Sequence, residues 1–146
     1  MRRNYPEKPD KVYFMGTCLA DMLYAEAGMA GIRLLEREGV KVIYPREQTC
    51  CGQPAFNSGF QEEALEVALH QINCFPKAYP IVVPSGSCGA MMVRHYPELF
   101  EGHPLEQKAI EFSSRIFELS EFLHHVLKIS LKDQGVPVKV TWHTSC

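Results

Sequence analysis

The sequence predicts an α/β fold in which a parallel sheet is covered by helices on both faces, and three observations predict it. Short apolar runs suited to strands occur within residues 11–19, from Val40 to Tyr44, and from Ile81 to Val83. Between them lie stretches whose apolar residues recur at steps of three and four, the period of a helix. Glycine or proline marks the junctions, at Gly39, Pro45, Pro76 and Pro97. Right-handed crossovers would bring the carboxyl ends of all strands to one edge, giving a Rossmann-like sheet.

The chain has 146 residues, 46% of them apolar and 22% charged. That length suffices for one domain burying roughly 68–70% of its unfolded surface. A net charge of −2 gives no footing for general nucleic-acid or acidic-lipid binding. No apolar run approaches the ~20 residues of a membrane span. The charged N-terminus lacks the apolar region of a signal peptide, so the expected compartment is the cytoplasm.

In order, residues 11–19 form a buried strand that ends in a Gly-containing turn, with Cys18 just beyond the strand. Asp21 is placed to cap a helix running to about Glu38, with Leu23, Ala27, Ala30 and Leu34 on its stripe and Gly39 as its stop. Gly28 and Gly31 weaken that helix by about 1 kcal/mol each and leave room for close packing on the sheet. The second strand, Val40 to Tyr44, is closed by Pro45 and leads to Cys50-Cys51-Gly52. A helix comes next, from about Gln61 to Phe75, with Leu65, Ala68, Leu69 and Ile72 facing in and Pro76 ending it.

Ile81-Val82-Val83 is continuous and apolar, as buried parallel strands are. It runs into PSGSCGA, which carries Cys88, and then a short helix from Ala90 to Tyr96 stopped by Pro97. Leu105, Ala109, Phe112, Ile116, Leu119 and Leu123 predict one or two helices over residues 105–129, with Ser120 capping a restart. After a polar turn, Val138, Val140 and Trp142 alternate as a last strand.

Ligands of such folds sit outside the carboxyl ends of the strands. Cys18, Cys50, Cys51 and Cys88 each come just after a predicted strand, so four thiols far apart in sequence are expected to converge on one rim. Adjacent cysteines on an extended backbone point to opposite sides unless the chain turns, and Gly52 supplies the freedom for a turn. Six cysteines in a chain without secretory features point to metal or redox chemistry before a disulfide framework. A bound cation would hold clustered thiols deprotonated. Zinc usually takes C-x-x-C pairs, and the chain has none. An iron–sulfur cluster is larger and is reached from separate loops. A thiol–disulfide centre at Cys50 and Cys51, or a cysteine-rich docking module with or without zinc, stays open on the residues alone.

Residues 11–18, KVYFMGTC, align with residues 139–146, KVTWHTSC, with Lys, Val and Cys in register. The expected organisation is one cysteine-rich domain over 1–137 and, over 138–146, the first strand of a truncated second copy.

The spacing of Cys18, Cys50-Cys51-Gly52 and Cys88, with CCGQPAFNSG, PSGSC and FELSEFL, resembles the cysteine-rich CCG domain. This domain usually occurs twice per chain, in proteins such as the cysteine-rich subunit of heterodisulfide reductase and the iron–sulfur subunit of glycolate oxidase. The resemblance covers nearly all of the chain from Lys11 to Cys146, and its details are nearest to the lactate-utilisation branch of the family. It implies an iron–sulfur electron-transfer subunit, or part of one, working with other subunits of a complex that oxidises L-lactate to pyruvate. Cys18, Cys50, Cys51 and Cys88 would ligate the iron, and Gly52, Gly86 and Gly89 would let backbone N–H groups approach the cluster sulfurs. Members with a five-thiolate noncubane cluster carry a C-x-x-C after the CCG element. Here Ser85 (by turn sequence) or Met91 (by spacing) stands in place of one of those cysteines, which leaves four thiolates and suits a [4Fe–4S] cubane.

Cys74 matches no ligand position and is expected to be a packed side chain. His124-His125 are expected to be solvated at a helix end, and His70, His95 and His103 to lack a carboxylate or thiol partner. No G-x-G-x-x-G and no G-x-S-x-G is present, so nothing argues for a nucleotide site or a serine nucleophile.

Overall fold

The computed structural model describes residues 3–130 and 135–141. Four strands, β1 (Lys11–Phe14), β2 (Lys41–Ile43), β3 (Ile81–Val83) and β4 (Ile116–Glu118), form one sheet in the order β2-β1-β3-β4. All three pairings are parallel, with Val12 opposite Val42, Phe14 opposite Val82, and Val82 opposite Phe117. Successive side chains of a strand face opposite ways, and the core divides accordingly. Val12, Phe14, Val82 and Phe117 belong to one cluster with Leu35 and Phe122. Tyr13, Met15, Ile81, Val83 and Ile116 belong to the other with Ile72, Tyr96 and Phe112. Both faces are thus covered, as a parallel sheet requires.

The helices are α1 (Cys18–Leu23), α2 (Ala25–Arg37), α3 (Gln53–Asn57), α4 (Gln61–Cys74), α5 (Gly86–Ala90), α6 (Tyr96–Leu99), α7 (Glu106–Ser114) and α8 (Leu119–Glu121). Among the described residues no helix is long and apolar enough to cross a membrane.

Several local expectations are corrected. The helix expected from Asp21 to Glu38 is two helices, broken at Tyr24, whose φ of −133° is not helical. Its cap is Thr17, whose hydroxyl accepts from the Ala20 N–H at 3.2 Å, and Asp21 lies in the first turn instead. Leu23, Ala27 and Ala30 face solvent, while Gly31 and Leu35 are the buried positions of α2. Gly31 does permit close packing, since a Cβ there would lie 3.3 Å from the Phe14 ring; at Gly28 it would meet nothing.

Pro97 does not stop the third helical stretch. The turn before it, Met91–His95, is a π-helix in which the Tyr96 N–H bonds the Met91 carbonyl, and the chain continues helically through α6 with Pro97 in the first turn. Proline has no N–H to give the preceding turn, and the Met92 carbonyl there accepts from the Ser113 hydroxyl at 2.6 Å. Residues 105–129 are not purely helical either, because β4 interrupts them. Glu118 rather than Ser120 caps α8, in a reciprocal capping box with Glu121. The expected last strand is absent over residues 138–141, where Val138 and Val140 are exposed and lie outside the sheet. Trp142, His143 and Cys146 lie outside the described residues.

A candidate thiol site at the strand ends

In the order β2-β1-β3-β4 the chain steps from β1 outward to β2 and then returns to the other side of β1. The crevice beyond the carboxyl ends of β1 and β3 is therefore the switch point of the sheet, where such folds bind ligands. Cys18 opens α1 after β1, Cys50 and Cys51 lie on the loop after β2, and Cys88 lies in α5 after β3.

The four thiols meet as two pairs. The Cys18 thiol donates to Cys50 Sγ at 3.7 Å, and both side chains are partly exposed. Cys51, 2% exposed, hydrogen-bonds Cys88, 7% exposed. Cys18 also lies within electrostatic range of Cys88, and Cys51 of Cys50. The adjacent cysteines thus divide between two neighbours, Cys50 toward the β1 loop and Cys51 toward the β3 loop. Gly52 makes the turn beneath them in the left-handed region, at φ 82°, and its N–H points to Cys50 Sγ at 3.4 Å.

Charge follows geometry. The Cys51 thiol donates to Cys88 and, with the Ser85 and Ser87 hydroxyls, holds Cys88 down to about 6 against the opposing effect of burial. Cys51 is raised far above the usual thiol range by that same bond and by burial. Cys18 is raised by burial, then by its contact with Cys50. Gly86 and Gly89 sit in α5 beside Cys88, where the Gly89 N–H bonds the Ser85 carbonyl at 2.9 Å. Beside the Cys18–Cys50 pair opens a cavity of about 140 Å³ lined by Thr17, Tyr44, Gln48 and Thr49. Among the described residues no three Cys, His, Asp or Glu side chains are gathered around a point that one metal ion would fill.

Residues that sequence reasoning did not single out hold the loop that presents Cys50 and Cys51. The Tyr96 hydroxyl, fully buried, donates to the Cys51 carbonyl at 3.0 Å. Gln71 bonds both backbone groups of Thr49, and Gln48 bonds the backbone of Phe14 and Gly16. The available signal was a glutamine on the inward stripe Ala64, Ala68, Gln71 of α4, where an aliphatic residue is the norm.

The other candidates lie elsewhere. Cys74 is partly buried against the core as expected, with its sulfur 3.5 Å from His70 Nε2. His95 Nδ1 is 2.7 Å from the Glu98 carboxylate. Both histidines therefore have the partners that were not anticipated, at helical spacings of four and three. His103 Nδ1 accepts from the Leu105 N–H at 3.1 Å. His125 stacks on Tyr5 at 4.5 Å, and His124 packs edge-on against His125 rather than against the thiols.

With this rim in view, residues 12–93 match the family of the cysteine-rich CCG domain, and the chain belongs to that family. Among curated proteins it is 44% identical over 137 residues to "Lactate utilization protein A" of Halalkalibacterium halodurans, covering 93% of this chain and 56% of that protein. It is likewise 44% identical to the protein of that name from Geobacillus kaustophilus, covering 93% and 57%. Its identity to the Shouchella clausii protein of that name is 46% over 131 residues, covering 89% and 54%. The chain thus spans little more than half the length of these relatives. No solved structure gives a significant match.

Proposed function

We propose that this chain is an iron–sulfur electron-transfer subunit, or the first half of one, in a cytoplasmic system that oxidises L-lactate to pyruvate. The observation that carries the proposal is the meeting of four thiols, from three loops, at the switch point of a parallel sheet. Their chemistry fits the group. Two pairs from separate loops suit a multi-iron cluster better than a single ion, and four thiolates are the ligand set of a [4Fe–4S] cluster. Cys18, Cys50, Cys51 and Cys88 are the proposed ligands. A bound cluster supplies one-electron redox chemistry.

The protein's part is to aim the sulfurs and tune them. The Gly52 N–H directed at Cys50 Sγ would stabilise charge on that sulfur and raise the potential. Gly86 and Gly89 would keep the α5 backbone bare beside Cys88. Ser85 by turn sequence, or Met91 by spacing, stands where a fifth thiol would be, so four thiolates remain for the cluster.

The relatives' names supply the link to lactate, and their length leaves room for a second domain of similar size. In the proposed organisation residues 1–137 are the first CCG domain and 138–146 begin its second copy. Other subunits of the oxidation complex would supply the substrate site and receive electrons.

Anaerobic purification with iron and acid-labile sulfide assays tests the reading. About four irons and four sulfides per chain, with a paramagnetic signal on reduction, are expected, and Cys51→Ala should abolish them. Zinc alone, or iron unchanged in Cys51→Ala, would overturn it.

A further inference from the structure

The loop from β2 to Cys50 runs outside the sheet, yet side-chain amides tie it to α4 and to the exit of β1. Two glutamine side chains do this. Gln71 is fully buried on α4. Its Oε1 accepts from the Thr49 N–H at 3.0 Å and its Nε2 donates to the Thr49 carbonyl at 3.0 Å. One side-chain amide thereby reproduces the two-bond exchange between paired residues of an antiparallel ladder. The second N–H of the amide points to Met15 Sδ at 3.7 Å, just after β1.

Gln48 makes the complementary tie. Its Nε2 donates to the Phe14 carbonyl at 3.2 Å and its Oε1 accepts from the Gly16 N–H at 2.9 Å. The register pairs Tyr13 with Ile43. Continued by two residues, it sets Pro45 opposite Met15, where a strand residue would donate to Phe14 and accept from Gly16. Proline has no N–H to donate. The Gln48 amide takes over the rung that Pro45 cannot make.

We propose that Gln71 and Gln48 are positioning residues of the thiol site: their amides lock the loop carrying Cys50 and Cys51 to the exit of β1, and so set the gap to Cys18. This rests on the thiol rim described above and, for its effect on iron, on the proposed cluster. Thr49 precedes Cys50 directly, so a slip of one residue would displace Cys50 by ~3.8 Å. That is as large as the 3.7 Å that separates its sulfur from Cys18. The amide is also needed chemically. Leucine at position 71 would bury more apolar surface but leave both Thr49 groups unpaired, and an ionised glutamate could accept but not donate.

The metal-free protein supplies a ruler. Diamide takes two electrons and two protons from the Cys18 and Cys50 thiols as their S–S bond forms, and peptide mass spectrometry quantifies the cross-link. Gln71→Leu should slow cross-linking by about tenfold or more, because ångström misplacement of reacting atoms is costly. Ile72→Val, a core truncation one position along the same helix, should leave the rate near that of the wild type. Gln48→Ala, at a half-buried loop position, should repeat the slowing even where Gln71→Leu fails to fold. In the anaerobically loaded protein, both glutamine variants should weaken iron retention against a chelator by about 10–100-fold, the usual cost of losing an outer-shell partner. Cross-linking in Gln48→Ala as fast as in Ile72→Val would overturn the proposal. Slowed cross-linking in a protein whose wild type binds no iron would uphold the positioning role and refute the cluster.

Discussion

Gly52→Ala is the most direct probe of the turn that presents the thiols. Gly52 has φ 82°, a conformation that costs an L-residue roughly 1–2 kcal/mol. A Cβ there would stand 3.4 Å from the Ala64 carbonyl oxygen and 3.5 Å from Val67 Cγ1, ordinary contact distances. Overlap therefore adds little, and backbone strain dominates. The entropic gain that alanine gives at compatible sites does not rescue a position of positive φ. The expected loss is about 1–2 kcal/mol, or about 3–7 °C in Tm for a chain of this size. Gly59→Ala supplies the calibration, because Gly59 has φ 83° and its added methyl would find nothing within 4 Å. Urea unfolding of the metal-free protein, monitored by far-ultraviolet circular dichroism, should return similar losses for the two variants. A Gly52→Ala protein as stable as the wild type would refute the reasoning.

The glycines of α2 separate propensity from packing. Gly28→Ala should stabilise by about 0.5–1 kcal/mol in the same assay, since its Cβ meets open space. Gly31→Ala should forfeit that gain, because its Cβ falls 3.0 Å from Leu119 Cδ2 and 3.3 Å from the Phe14 ring. A thiolate titration at 240 nm tests the Cys51–Cys88 pair in the metal-free protein: one thiolate should appear with a midpoint near 6. It should vanish in Cys88→Ser and titrate higher in Cys51→Ala. The sign comes from linkage. Cys88 is depressed, so its stabilising contribution is present above the unfolded thiol value and is lost as pH falls through about 6. Cys51 is raised, so its contribution is present below the unfolded value and is lost as pH rises. A curve with no step below about pH 8, near the value of a free thiol, would contradict the pairing.

Three strands and the placement of the cysteines were legible because each depends on local pattern. Residues Ile81 to Val83 are apolar throughout, and no short helix would use such a run on one face. β4 was not legible, for a definite reason. Ile116, Leu119 and Leu123 fall at steps of three and four and satisfy a helical period as well as Ile116 and Phe117 satisfy a strand. The partner edge decides it: the Ile81 N–H bonds the Arg115 carbonyl at 2.8 Å, a contact no local pattern encodes. Val138 and Val140 show the converse, with strand-like alternation yet exposed and outside the sheet. Leu23 joined the helical stripe on spacing, yet Tyr24 breaks the helix and turns α1 away from the core.

The same distinction separates what was read of the site from what was not. That four thiols share a rim follows from where strands end. Which thiol meets which depends on the sheet order, because β1 lies between β2 and β3. The loop after β2 must cross the end of β1 before it can reach the loop after β3. Its first cysteine then meets Cys18, and its second passes inward to Cys88. This crossing explains why Cys50 is partly exposed while Cys51 is buried. It also explains why the crossing segment needs anchors of its own: Thr49, Cys50 and Cys51 belong to no strand or helix, so their backbone groups must find side-chain partners. Gln71 and Tyr96 answer at Thr49 and Cys51, on either side of the exposed thiol. Cys50 itself is left to be fixed by its neighbours and by the Gly52 N–H, which makes it the sulfur whose position is most sensitive to the two amides.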